Sequence, residues 1–319
     1  MKTKIRYAIM LTIVLCVAVT ACGESDEPNE PNSPESEDSI PSSSVAEGVR
    51  LDITVLDYSP APGQFVNVIP EYEVGDTRET MNAKATESLC NGDLISLGAW
   101  GGSVTIKLPQ SLQNVEGKAD FRIVGNGVYA NDASNAIRIG SSEPGIVMVM
   151  CDENGDGIDN DTWYELQGNQ TINGVANYQV TYYIPTALAT DNEYIAWRAT
   201  NGDSGWLNRT AEHQQDYFPM WINNIETMTF EGRRLPDNGA FNSIINKFDL
   251  ACYDGYADSH PNNVMASCLD IDDAIDAMGN SVTLSSIDFI KVYTGVLQAN
   301  GPLGECSTEV AAVEQIIYK

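Results

Sequence analysis

Positive charge is scarce in this chain. Its 319 residues include 17 Lys and Arg against 45 Asp and Glu, a formal net charge of −28. Phosphate backbones and anionic bilayer surfaces repel such a surface, which excludes both as direct partners. The same charge favours solubility and divalent cations. Histidine is nearly absent, with only His213 and His260 present. No Gly-x-Ser-x-Gly, His-Glu-x-x-His or phosphate-cradling glycine loop accompanies them, so no catalytic set can be assembled. Acids are so abundant that no carboxylate pair for glycoside hydrolysis can be singled out. The seven cysteines contain no C-x-x-C spacing, the usual mark of a metal or redox site. No apolar run is long enough to cross a bilayer as a helix.

What is present begins at the N-terminus. Lys2, Lys4 and Arg6 precede an apolar core from Ile9 to Val19, followed by Val19-Thr20-Ala21-Cys22. This has the layout of a cleaved signal segment over residues 1–21. The small residues before the cysteine resemble the lipobox of bacterial lipoproteins, which implies that Cys22 is acylated as the first mature residue. The alternative is an ordinary secretory signal cut after Ala21. Loss of the three basic residues moves the formal charge from −28 to −31. Residues 22–48 form the next segment. From Gly23 to Gly48 it is almost free of apolar residues, contains no Lys or Arg, and is rich in Pro, Ser, Asn and acids. Such composition buries too little apolar surface to offset ordering entropy and predicts an extended tether of up to roughly 85 Å. Glu24-Ser25-Asp26-Glu27 after the cysteine resembles the export signal of Bacteroidetes surface lipoproteins. Asp38-Ser39-Ile40 resembles their O-glycosylation motif, with Ser39 as acceptor. Together they imply an outer-membrane lipoprotein facing the cell exterior.

Residues 49–319 read as one domain. Short strand-like runs separated by Gly, Asn, Asp and Pro predict an all-β fold, a single β-sandwich or jelly roll with long loops. Val104–Leu108 and Thr227–Glu231 alternate with period two, whereas Ile146–Met150 is continuously apolar and reads as a central strand. Thr77–Leu89 reads as the one clear helix, capped by Asp76 or Thr77, with Met81, Ala85 and Leu89 on its inner face. Met278–Ser281 reads as a hairpin turn. Cys252 and Cys268 are spaced to pair across a loop, with buried free thiols as the alternative.

The sharpest local motif is Asp152-Glu153-Asn154-Gly155-Asp156-Gly157. Oxygen side chains at alternate positions followed by glycine suit a loop wrapped around a hard cation. Position twelve is Trp163, where an EF-hand places a bidentate Glu, so the expectation is a structural calcium in a β-hairpin. Asp152, Asn154 and Asp156 would supply side chains, Ile158 a backbone carbonyl, and Asp161 or Glu165 would close the shell. An acidic turn without an ion is the alternative reading. The second constellation is aromatic. Trp197, Trp206, Tyr217 and Trp221, with His260 in a polar loop, are candidates for stacking on a sugar or large planar ligand. For each Trp a core position is the competing assignment.

Tyr58–Asn67, Ser96–Gly102, Glu143–Val147, Asp161–Leu166, Arg234–Asn238, Ile287–Gly295 and Glu305–Val310 resemble a group of Bacteroidetes "cell surface protein" sequences, some labelled with PKD domains. No PKD-like module fits between the tether and Leu51. The strand pattern is also similar to galactose-binding-type jelly rolls, which often hold a structural calcium and bind glycans through loops at one end. The resemblance implies a non-catalytic accessory lipoprotein that captures a glycan or a corrinoid (vitamin B12) for a TonB-dependent outer-membrane transporter. A surface glycoside hydrolase and an adhesion protein are the competing classes.

Overall fold

Thr77, one of the two residues expected to cap it, starts the helix, which then covers a sheet edge. The computed structural model describes residues 46–131, 137–185, 193–222, 225–242 and 247–318; Cys22 and Ser39 lie outside the described residues. Helix α1 (Arg78–Asn91) opens with a capping box in which Thr80 Oγ1 accepts from Thr77 N at 2.7 Å and Thr77 Oγ1 accepts from Thr80 N at 3.4 Å. Gly92, at φ 80°, ends it in the left-handed conformation that glycine adopts without strain. Met81, Ala85 and Leu89 are fully buried. The neighbouring polar positions clip strand β2 (Thr54–Ser59). Thr86 Oγ1 accepts from Val55 N at 2.9 Å, and Asn82 both accepts from Tyr58 N at 2.9 Å and donates to Leu56 O at 2.7 Å. β2 is the edge of its sheet, so these bonds satisfy backbone groups that would otherwise template further pairing.

The rest of the described chain is mostly strand, in five sheets. The largest has six strands in the order β17 (Ala274–Ile275), β9 (Tyr164–Leu166), β8 (Gly145–Met150), β18 (Ser286–Thr294), β4 (Ser103–Gln113) and β2. The apolar run at β8 is internal, as its composition requires. A four-stranded sheet follows the order β1 (Ala46–Arg50), β20 (Ala312–Tyr318), β5 (Phe121–Val124) and β16 (Cys268–Leu269). Val104, Ile106, Val147, Val149, Ile290 and Val292 of the first sheet share one apolar core with Phe121, Ile123 and Val313 of the second and the inner face of α1. A third sheet, β12 (Ser204–Asn208), β11 (Glu193–Ala199), β10 (Val175–Tyr183) and β13 (Thr227–Arg234), packs its own aromatic core around Trp100, Tyr178, Tyr182 and Tyr217. Two small sheets complete the fold: β14 (Gly239–Asn242), β15 (Lys247–Ala251), β7 (Ile139–Ser141) and β6 (Val128–Tyr129), and the pair β19 (Glu309–Val310) and β3 (Ile95–Ser96).

Two features differ from the sequence reading, and one left open is resolved. Ala46–Gly48, taken as the end of the tether, form β1 and pair with Ile316–Tyr318. Ser103–Ile106 are all buried, with Val104 and Ile106 facing the core and Ser103 at the bottom of a groove beneath β13, so the period-two pattern does not mark a half-exposed strand here. Cys252 and Cys268 are free thiols, as are Cys90, Cys151 and Cys306. Cys252 lies next to β15 and Cys268 on β16, strands of different sheets. The turn at Met278–Ser281 is a hairpin turn, closed by Asp276 N to Asn280 O at 2.9 Å and by the Ile275–Ser281 bridge.

Candidate functional site

Strand alternation sends Val292, Val104 and Val147 into the core and their neighbours to the opposite face of the six-stranded sheet. There one row of paired residues crosses all six strands: Ile275, Glu165, Met148, Lys291, Thr105 and Asp57. Tyr293, Ser103 and Ser59 form the start of a second row. Above them runs a groove of about 490 Å³, walled by β13 from Thr229 to Arg233, by Ala176 and Asn177 of β10, and by Trp163. Two of its walls need special backbone. The β10–β13 register shifts between Val175 and Tyr178, and Asn177 adopts φ 53° within this bulge. A bulge re-aims side chains at the margin of a sheet, and Asn is among the few residues that tolerate the left-handed region.

The groove is charged as well as aromatic. Arg233 Nε donates to both oxygens of Glu165, at 2.8 and 3.1 Å, and Arg233 Nη1 donates to Thr171 O at 3.2 Å. Burial raises the Glu165 carboxyl above its ordinary value even though the Arg233 guanidinium pulls it the other way. The backbone N of Arg233 donates to the Tyr293 hydroxyl at 2.9 Å, which fixes this corner to the sheet. Asp57, Glu231, Asp276 and Lys291 supply further charge, and Phe230 and Trp163 supply apolar faces. Such a mixture can accept and donate hydrogen bonds along a polar ligand while stacking on its apolar side.

The acidic loop lies between β8 and β9, so it ends directly at Trp163 and the groove. Asp152 gathers the loop: Oδ1 accepts from Gly155 N and Asp156 N at 2.8 and 3.1 Å, and Oδ2 from Gly157 N at 2.8 Å. Asn154 Oδ1 accepts from Asp156 N at 2.8 Å, Asp156 Oδ1 from Ile158 N at 2.8 Å, and Asp161 Oδ2 from Glu153 N at 2.9 Å. Gly155 and Gly157, at φ 71° and 75°, permit the tight winding. These bonds hold the Asp156 carboxyl below its ordinary value, with the Ile158 backbone N–H the largest cause. Glu165 does not close this loop. Strand alternation turns it into the groove, where Arg233 occupies both of its oxygens.

The predicted aromatic platform divides. Trp221 is 3 % exposed and stacks on Tyr58 at 5.6 Å, and Tyr217 is fully buried against Tyr194. Both are core residues, because the turn carrying them folds inward over α1 and the third sheet. Trp206 is 45 % exposed, but it stands on strand β12 rather than in a loop. Trp197 pairs with Gly205 across β11 and β12, so the Trp206 side chain turns to the opposite face of the strand pair; both residues border a second, small pocket. His260 is buried, with Nδ1 at 2.8 Å from the Tyr129 hydroxyl and Nε2 at 2.9 Å from Asp254, so it does not belong to an open platform. Burial lowers its basicity more than Asp254 raises it.

Sequence reasoning missed one cluster entirely. Ligand atoms of Glu143, Asp258 and Glu309 lie within 4.8 Å of one another. Asp258, a non-glycine residue at φ 51°, accepts from the backbone N–H groups of Asn126, Gly127 and Glu309 at 2.7, 2.9 and 3.0 Å. Glu143 and Glu309 share a side-chain hydrogen bond. Burial pushes the Glu143 carboxyl up to about 8 and Asp258 up to about 7, and it drives Glu309 well above the carboxylate range. Three such groups can hold a shared proton or one divalent cation.

No family model matches the chain, and no curated protein does.

Proposed function

We propose that this chain is a lipid-anchored surface protein that binds a glycan in the groove across the six-stranded sheet. Capture is non-catalytic, and the glycan is passed to a TonB-dependent outer-membrane transporter. Cys22 carries the lipid, residues 23–45 are the tether, and the tether raises the local concentration of captured ligand near the transporter. One observation carries the reading: Trp163 and Phe230 stand beside Asp57, Glu231 and Lys291 in a groove large enough for several sugar units. The apolar core common to the six-stranded and four-stranded sheets supports a β-sandwich or jelly roll as the underlying architecture.

Calcium is proposed as a structural ion of the 152–161 loop, on the side chains of Asp152, Asn154, Asp156 and Asp161 and the Ile158 carbonyl. The donor set is all oxygen, as a hard cation requires. When bound, the ion would stiffen the loop that ends at Trp163.

The test is calorimetry of the purified protein against a panel of host and dietary oligosaccharides and, separately, cobalamins. Saturable glycan binding that Trp163→Ala weakens at least tenfold supports the reading. Binding of cobalamin alone transfers the groove to a corrinoid, and binding of neither overturns capture. A surface hydrolase is the second reading, favoured by the raised carboxyl of Glu165 among other acids. Release of reducing ends by the wild type, abolished in Glu165→Gln, would establish it.

A further inference from the structure

The row of residues across the groove floor carries three charged side chains, and two of them are already engaged. Asp57 pairs with Arg78 at 2.8 Å, and Glu165 pairs with Arg233 at 2.8 Å. Lys291 lies midway between them, beside Met148 on β8 and Thr105 on β4. At about 4.8 Å per strand it stands roughly 10 Å from each of those two acidic residues. Its half-buried side chain has no hydrogen bond or ion pair among the described residues. The ammonium has three donors, and the protein supplies none of them with an acceptor. Two further acids border the groove. Asp276 turns both oxygens to its own hairpin, accepting from Met278 N at 2.8 Å and from Asn280 N and Nδ2 at 2.9 Å. Glu231 is exposed on β13, and strand alternation puts it on the same face as Arg233, which reaches into the groove. Its carboxylate has no partner among the described residues. The groove therefore offers a free cation on its floor, a free anion on its wall, and the aromatic side chains of Trp163 and Phe230.

Resting on the glycan reading of this groove, we propose that it selects a glycan bearing an isolated uronic acid residue, whose carboxylate pairs with Lys291. Hydroxyls of that sugar or its neighbour donate to Glu231, and an apolar ring face lies against Trp163. An ammonium–carboxylate hydrogen bond is charge-assisted, so it is stronger than the bond the same ammonium makes to a neutral hydroxyl. A second, adjacent carboxylate would meet Glu231 with no cation to spare. The net charge of −28 adds repulsion of any polyanion. Selectivity is therefore for one acid within a neutral chain rather than for a polyuronate. At physiological salt the Debye length of about 8 Å screens distant charges more than this direct contact.

Calorimetry of the full-length protein at physiological salt tests the assignment, using glucuronosyl-bearing oligosaccharides of several linkages, each as the free acid and as its methyl ester. A free acid is expected to bind at least tenfold tighter than its own ester, with tetragalacturonate weaker than that acid. Lys291→Met should bring the acid-to-ester ratio below about twofold, and Lys291→Arg should preserve it. Equal affinity of acid and ester, or a preference that survives in Lys291→Met, overturns the uronate assignment and leaves neutral-glycan capture standing. Tighter binding of tetragalacturonate overturns the selectivity for an isolated acid. A sulfated oligosaccharide that displaces the acid transfers Lys291 to sulfate and overturns the carboxylate. Binding of no glycan in either form overturns capture itself, and this assignment with it. The comparison of acid with ester is made on the wild type, so it decides the matter even where Lys291→Met does not fold.

Discussion

Asn177 shows how a single residue shapes the groove. Its φ of 53° lies within the β10 bulge, and the residue lines the groove. A β-branched side chain in that conformation costs about 1–2 kcal/mol, while glycine adopts it freely. Asn177→Val should therefore lower the urea unfolding free energy by about 1–2 kcal/mol, and Asn177→Gly should stay within about 1 kcal/mol of wild type. Groove affinity should fall in the valine variant and be retained with glycine. Equal stability of the two variants would show that the bulge carries no strain. This conformation was not legible in the sequence, since nothing in Val175-Ala176-Asn177-Tyr178 marks a bulge. Tyr217 and Trp221 failed in the opposite direction. An aromatic run beside Pro219 looks the same whether it faces solvent or a core, and only the packing against Tyr58 and Tyr194 decides.

Helix α1 and the acidic loop are the elements whose sequences spoke most clearly. The cap at Thr77 and the fourth-residue spacing of Met81, Ala85 and Leu89 are local signals, and the helix appears where they place it. Its second role, clipping β2, depends on a strand about 25 residues away and has no local signature. Asn82→Ala removes two hydrogen bonds and leaves partly buried backbone groups of β2 unpaired, so it should cost about 1–3 kcal/mol in denaturant unfolding. The loop from Asp152 to Asp161 was read as a calcium hairpin, with an ion-free acidic turn as the alternative, and its tight winding was legible because the residues that bond one another are adjacent in sequence. If it holds calcium, adding the ion to chelator-treated protein should raise the melting temperature by several degrees, with the gain lost in a variant carrying Asp152→Ala and Asp156→Ala. An unchanged melting curve on calcium addition would leave the loop as a hydrogen-bonded turn only.

Across the whole molecule, the buried carboxyls make stability depend on pH. Glu143, Asp258, Glu305 and Asp120 all hold their protons more tightly when folded, because burial disfavours the charged form. The folded state therefore binds more protons than the unfolded chain above the ordinary carboxylate range near 4. Their stabilising effect is full below that range and is lost as the pH rises through about 8, the value reached by Glu143. The melting temperature should fall between pH 5 and pH 8, and Glu309→Gln should flatten the slope by removing one of the coupled protons. A melting temperature that rises over this interval would refute the assignment. The cluster could not be read from the sequence, since Glu143, Asp258 and Glu309 sit in separate segments that the fold brings together through bonds such as Glu143 N to Asp258 O and Glu309 N to Asp258 Oδ2, both at 3.0 Å.

The pairing of Ala46 with Tyr318 has a mechanical consequence. Any pull transmitted from an N-terminal anchor enters the fold at the first residue of an edge strand whose ladder is only five residue pairs long. Shear from flow or from a ligand held elsewhere would reach β1 before the shared core. Under the proposed lipid anchoring, that strand is placed to yield as a fuse, lengthening the proposed tether by about 16 Å at roughly 3.3 Å per residue while the rest of the sheet remains paired.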